Sequence, residues 1–137
     1  MYWLLRPWRH AFDFSGRSPR IEYWLFQLQF YVAVILAALG AAAFDRGTAS
    51  MGPGGTAFVV VFSVVVLGSF IPNLACAVRR LHDQNKPGIA LLLGLIPLIG
   101  GFILLFFMVT PGDEDENEYG PNPLDQREMD GVSDVFE

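Results

Sequence analysis

AFVVVFSVVVLGSFIPNLACAVRRLHDQNKPG, residues Ala57–Gly88, sets 22 uncharged residues against a ten-residue run in which five are charged or histidine. At 1.5 Å per residue the apolar part reaches about 33 Å, enough to cross bilayer hydrocarbon of roughly 30 Å. Its apolar residues fall on every side of the helix, so it lacks the polar face of a soluble bundle helix. Leu25–Phe44 and Ile89–Val109 read the same way. The spacing predicts an all-α integral membrane protein with three transmembrane helices, 25–44, 57–78 and 89–109. They form a membrane domain, 25–109. A cytoplasmic interfacial segment, 1–24, precedes it, and an acidic, largely irregular carboxyl tail, 110–137, follows. The third segment carries Pro97, Gly100 and Gly101 at its centre. One kinked span is expected there; the alternative is a re-entrant hairpin that returns the tail to the side it left.

Composition agrees. Hydrophobic residues make up 53% and charged residues 17%, against roughly 25% charged in an average soluble domain. Ten of the fourteen Asp and Glu lie in Asp113–Glu137, so the net charge of −5 describes the tail. No basic domain supports nucleic-acid binding. Cys76 is the only cysteine, which excludes an intrachain disulfide, and it is expected as a small buried hydrophobe. Arg6 and Pro7 cut the apolar start short, so no cleavable signal peptide is expected.

Lys and Arg set orientation. Arg6, Arg9, Arg17 and Arg20 precede the first span, and Arg79, Arg80 and Lys86 follow the second; Arg46 and Arg127 alone oppose them. In a three-span chain this predicts a cytoplasmic amino terminus and a periplasmic tail, in the inner (plasma) membrane of a bacterium.

Three motifs carry the chemistry. In GRSPRIEYW, Gly16–Trp24, Ser18 is a good N-cap with Pro19 at the first helical position. Arg17 and Arg20 sit at phosphate level, and Tyr23 and Trp24 fall where an aromatic belt belongs. Anchoring explains these residues; a site for an anionic headgroup is the sharper reading. Glu22 fits neither, because a carboxylate beside anionic lipid needs a cation, and Arg79 or Arg80 is expected to supply it. In RRLHD, Arg79, Arg80, His82 and Asp83 suit a charged helix end, or an ionic cluster together with Glu22. His82 and Asp83 lack further matched ligands, so no metal and no cofactor is expected. In NEYGPNP, the residues Asn117, Tyr119, Gly120, Pro121 and Pro123 suggest a turn that docks on the membrane domain. A calcium loop fails there, with Glu118 where glycine belongs and Leu124 where glutamate belongs. Ala33, Ala37 and Ala41 form a small-residue stripe that permits close helix approach. It points to a homo-oligomer or a larger membrane complex, with membrane lipids as the other partners.

Together, GRxxRxEYW, RRLHD after a span and NxYGPxP after the last span resemble the small bacterial inner-membrane proteins of domain of unknown function 805. The resemblance covers roughly Phe14–Pro123. It implies an integral inner-membrane protein and no activity. Ile89 and Ala90 stand where members often carry aromatic residues, which weakens the case for an aromatic-walled pocket beside the basic cluster. An accessory or interaction subunit of a membrane complex is the leading functional reading. Binding or transport of an anionic lipid or small anion by Arg17, Arg20, Arg79 and Arg80 is the alternative. A proton pathway is weaker, since Gln27, Gln29, Ser63, Ser69 and Asn73 are the only polar candidates at depth. No catalytic set is evident, so an enzyme is not expected.

Overall fold

A computed structural model describes residues 2–44 and 52–125. Arg46 and its loop, and the tail end with Arg127, lie outside the described residues. The described chain is helical: α1 (Tyr2–Arg9), α2 (Arg20–Phe44), α3 (Pro53–His82), a 3-10 segment (Gly88–Leu95) and α4 (Gly100–Val109).

Helices α2 and α3 are each long and apolar enough to cross a membrane, and only 6% and 11% of their apolar windows is buried. A core helix of a soluble protein would be mostly covered. Side chains such as Leu36, Leu39, Val64 and Leu67 instead stand exposed. Their natural solvent is hydrocarbon, which costs nothing to contact. Along α2, Glu22 and Phe26 are buried, and Ala33, Ala37 and Ala41 continue the same face, half-buried. This face meets α3 of the same chain: Ala37 and Ala41 lie across from Gly54 and Ala57, and Ala33 from Val64 and Val65. The alanine stripe therefore faces α3 within the chain.

The third apolar segment departs from a single kinked span. The 3-10 run of 8 residues rises about 16 Å and the 10 residues of α4 about 15 Å, each half of a bilayer core. Pro97 ends the first arm, Leu98 turns the chain at φ 66°, and α4 runs back. Gly100 makes the close return possible, because a Cβ there would collide with the Leu93 carbonyl. Both feet of the hairpin rest on the carboxyl end of α3. Ala77, Leu81 and Met108 form a buried cluster with Tyr23, Ala90, Leu91 and Phe107 packed on it. Lys86 Nζ lies 5.0 Å from the centre of the Phe107 ring. The described tail thus sits at the same end of the molecule as Arg17 and Arg79. The physical reason is that a GLIPLIGG centre breaks the helix where a hairpin can close.

The amino-terminal segment is a helix, α1, despite Pro7. It lies across α2, with Trp8 Nε1 donating to Gln29 Oε1 at 3.1 Å and Gln29 Nε2 donating to the Leu4 carbonyl at 2.8 Å. Helix α2 begins one residue after Pro19, and the Ser18 hydroxyl faces Cys76 Sγ at 3.6 Å. Ser18 instead ties the elements together through its backbone, its N–H donating to the Arg79 carbonyl at 3.0 Å.

Candidate functional site

The deepest part of the molecule is ionic. Glu22 and Arg80 are 0% exposed, Arg79 2% and Arg17 3%. Two carboxylates organise the cluster. Glu22, in the first turn of α2, accepts from Arg6 Nη1 at 2.6 Å and from Arg79 Nη2 at 3.1 Å. Asp83, at the cap of α3, accepts from Arg17 Nε at 3.0 Å and from Arg80 Nη1 at 2.5 Å. Arg80 and Asp83 are three apart on one helix end, where such pairs meet. Burial pushes the Asp83 carboxyl up, while Arg80 and then Arg17 hold it down. Burial is the larger effect, so the Asp83 carboxyl lies above its ordinary value despite the two guanidiniums in contact with it.

Four guanidiniums against two carboxylates leave positive charge over, and backbone carbonyls of the hairpin and tail absorb it. Arg80 donates to the carbonyls of Met108 (3.4 Å) and Thr110. Arg17 donates to those of Asp115 (2.7 Å), Gly120 (3.2 Å) and Asp113. Arg20 donates to the Val109 carbonyl at 3.2 Å. The Met108 and Val109 carbonyls belong to the last turn of α4, which leaves them without helical partners, and the others follow it. The arginines therefore act as a cap on α4 and as a cradle for the tail.

The tail is built to sit there. Asp113 N donates to the Asp83 carbonyl at 2.7 Å, and Gly112 passes so close to Asp83 that a Cβ would collide with its carboxylate. Asn117 Oδ1 accepts from Tyr119 N at 3.0 Å, and its Nδ2 donates to the His82 carbonyl at 3.0 Å. Asn117 and Gly120 exchange backbone hydrogen bonds, with Gly120 at φ 118°. The Tyr119 ring stacks on His82 at 3.8 Å and 6°. His82 donates from Nδ1 to the Gly16 carbonyl at 3.2 Å. Of the proline pair, Pro121 is exposed and Pro123 buried.

The structure thus brings Arg17, Glu22, Arg79, Arg80, His82 and Asp83 into one network. Arg20 lies on its rim, and Asn117, Tyr119 and Gly120 close it from the tail. Glu22 takes Arg79, as one of its two candidate partners, while Arg80 turns to Asp83. Sequence reasoning missed Arg6 as the second partner of Glu22 and Gln84 as a donor to the Phe107 carbonyl. Arg6 follows Tyr2 and Trp3 on an aromatic-rich amphipathic helix; its guanidinium is 5.4 Å from the Trp3 ring, and that spacing was the available signal. Among the described residues no group of three or more metal-ligating side chains occurs.

Two apolar helices, a hairpin and a buried ionic clasp define a small helical membrane protein. The chain belongs to the family described as "Protein of unknown function (DUF805)", whose model matches residues 11–121. It is similar to "Inner membrane protein YhaI" of Escherichia coli K12, 34% identical over 123 residues, 90% of this chain and 96% of the relative. It is also similar to "Inner membrane protein YhaH" of the same strain, 32% identical over 124 residues, 90% and 97% of the two chains. No solved structure matches the chain.

Proposed function

We propose that the protein is a non-enzymatic accessory subunit of an inner-membrane assembly, and that its ionic clasp holds the carboxyl tail as a rigid acidic platform at the cytoplasmic face. One observation carries this reading: the guanidiniums of Arg6, Arg17, Arg20, Arg79 and Arg80 all donate inside the chain. The guanidiniums of Arg17, Arg79 and Arg80 are buried and spent on the chain itself, which leaves Arg9 and Arg20 as its exposed arginines among the described residues. What faces outward is Glu114, Asp115, Glu116 and Glu118, all exposed on a turn fixed from beneath. A fixed patch of one sign selects a partner of the other. The triple variant Glu114→Gln, Glu116→Gln, Glu118→Gln should fold normally, yet recover less of a basic partner when the protein is crosslinked in native membranes and isolated in mild detergent. Equal recovery by parent and variant would count against the platform.

The same reading sets topology. Arg6, Arg17, Arg20, Arg79, Arg80 and Lys86 share one end of the molecule, and cytoplasmic placement of that end satisfies the positive-inside rule. The hairpin then carries residues 110–125 to the cytoplasm too. Single cysteines at Ser15 and Glu118, in a chain lacking Cys76, should both resist an impermeant thiol reagent in intact cells and react once the inner membrane is opened. Reaction of Glu118→Cys from the periplasm alone would restore a third full span.

A further inference from the structure

Helices α2 and α3 do not close along their whole length. A cavity of about 400 Å³ lies between α1, α2 and α3, and a second of about 380 Å³ lies beside it. Phe30 and Ser69 line both. The sequence opens α3 here. Gly68 brings no side chain, and Pro72 lacks the N–H that the Gly68 carbonyl would otherwise receive.

Ser69 is the unusual residue. It is 4% exposed, and its hydroxyl makes no hydrogen bond among the described residues. Hydroxyls on helices in apolar surroundings turn back to a carbonyl one turn earlier. Three others among the described residues do so: Thr56 to Gly52 at 3.3 Å, Ser63 to Val59 at 2.7 Å and Thr110 to Phe106 at 2.7 Å. The other amides on these walls are engaged. Gln29 is held by Trp8 and the Leu4 carbonyl, and Asn73 exchanges bonds with Gln27 at 3.3 and 3.5 Å. Ser69 therefore presents an uncommitted donor to an otherwise apolar space. An acyl chain would fill volume and leave the hydroxyl unpaired.

Ser69 lies ten residues before Arg79, about 15 Å along the helix, so headgroups anchored at the ionic layer do not reach it. The first cavity is walled by the rings of Trp8, Phe26 and Phe30, which suit a flat ring. We propose that this cavity binds a lipid-soluble ring compound bearing a carbonyl oxygen, the chemistry of an isoprenoid quinone, which enters from the bilayer and accepts a hydrogen bond from Ser69. Binding alone is proposed, with no electron transfer.

The test uses the full chain in vesicles of phosphatidylethanolamine and phosphatidylglycerol, with a decyl-substituted benzoquinone as the probe. Tryptophan fluorescence should fall along a saturable curve, and Trp8→Phe should remove the saturable part. Ser69→Ala, nearly isosteric, should raise the half-saturation concentration about tenfold, the weight of one hydrogen bond. Gly68→Leu should abolish saturation, since a side chain there enters open space; should that variant misfold, Ser69→Ala alone decides. Quenching that rises linearly with quinone and is the same in parent and Ser69→Ala would show partitioning only and overturn the proposal. So would saturable quenching by lipids brominated in the acyl chain that the quinone fails to displace, because the occupant is then an acyl chain.

Discussion

Asp83→Asn should destabilise the folded protein by about 3–5 kcal/mol, the cost of leaving buried charge without its partner. The substitution keeps shape and removes charge, so the loss reports electrostatics rather than packing. Asp83 is the one carboxylate in contact with both Arg17 and Arg80. Those arginines in turn hold the carbonyls that follow α4 and shape the tail. With the carboxylate neutral, two guanidiniums remain nearly solvent-free and repel each other at close range. The tail should then come away from α3 and become sensitive to protease near Gly112. Glu116→Gln is the control, since Glu116 is exposed and a surface change of this kind stays within about 0.5 kcal/mol. Thermal unfolding in nanodiscs, compared across parent, Asp83→Asn and Glu116→Gln, checks the expectation. Equal melting of the first two would mean that hairpin packing alone holds the tail.

The legible part of this molecule was the part written in side chains. The unbroken apolar runs specify α2 and α3, because no polar face leaves them another solvent. Glu22 stood out as a carboxylate in the wrong neighbourhood, and Arg79 was one of two named candidates for it. The hairpin was less legible, because Pro97 and Gly100 are compatible with either a kink or a reversal. What favours the reversal is the set of carbonyls from Met108 to Gly120 that the arginines collect, and a carbonyl acceptor leaves no trace in sequence. The same blindness hid the roles of Arg17 and Arg80, which read as headgroup ligands and instead bind the chain's own backbone. The alanine stripe was visible, but small residues permit close approach without naming the partner helix, and here that helix is α3. Ser69 illustrates the opposite failure. Its presence at depth was plain, and only the geometry of its neighbours separates it from Ser63.

Glu22→Gln should cost a similar amount, about 3–5 kcal/mol, and its response to compensation separates architecture from function. Glu22 is fully buried, with Arg79 beside it at 2% exposure and Arg6 reaching in at 16%. Neutralising Glu22 strands both cations and frees α1 from α2 at its charged end, where Trp3 and Pro7 are otherwise buried. A triad of this kind is not obviously the most stable filling for its space. Desolvating three charges offsets most of their attraction, and well-packed apolar replacements are often neutral or stabilising by about 1–4 kcal/mol. The combined variant Arg6→Met, Glu22→Leu, Arg79→Met should therefore regain most of what Glu22→Gln loses, as read by melting temperature and by abundance in the membrane. If it does not, the triad contributes a specific alignment of α1, α2 and α3 that volume alone fails to reproduce. If it does, while recovery of the crosslinked partner stays low, the charges are retained for the alignment of the platform with that partner, because stability alone would have been met by a simpler core.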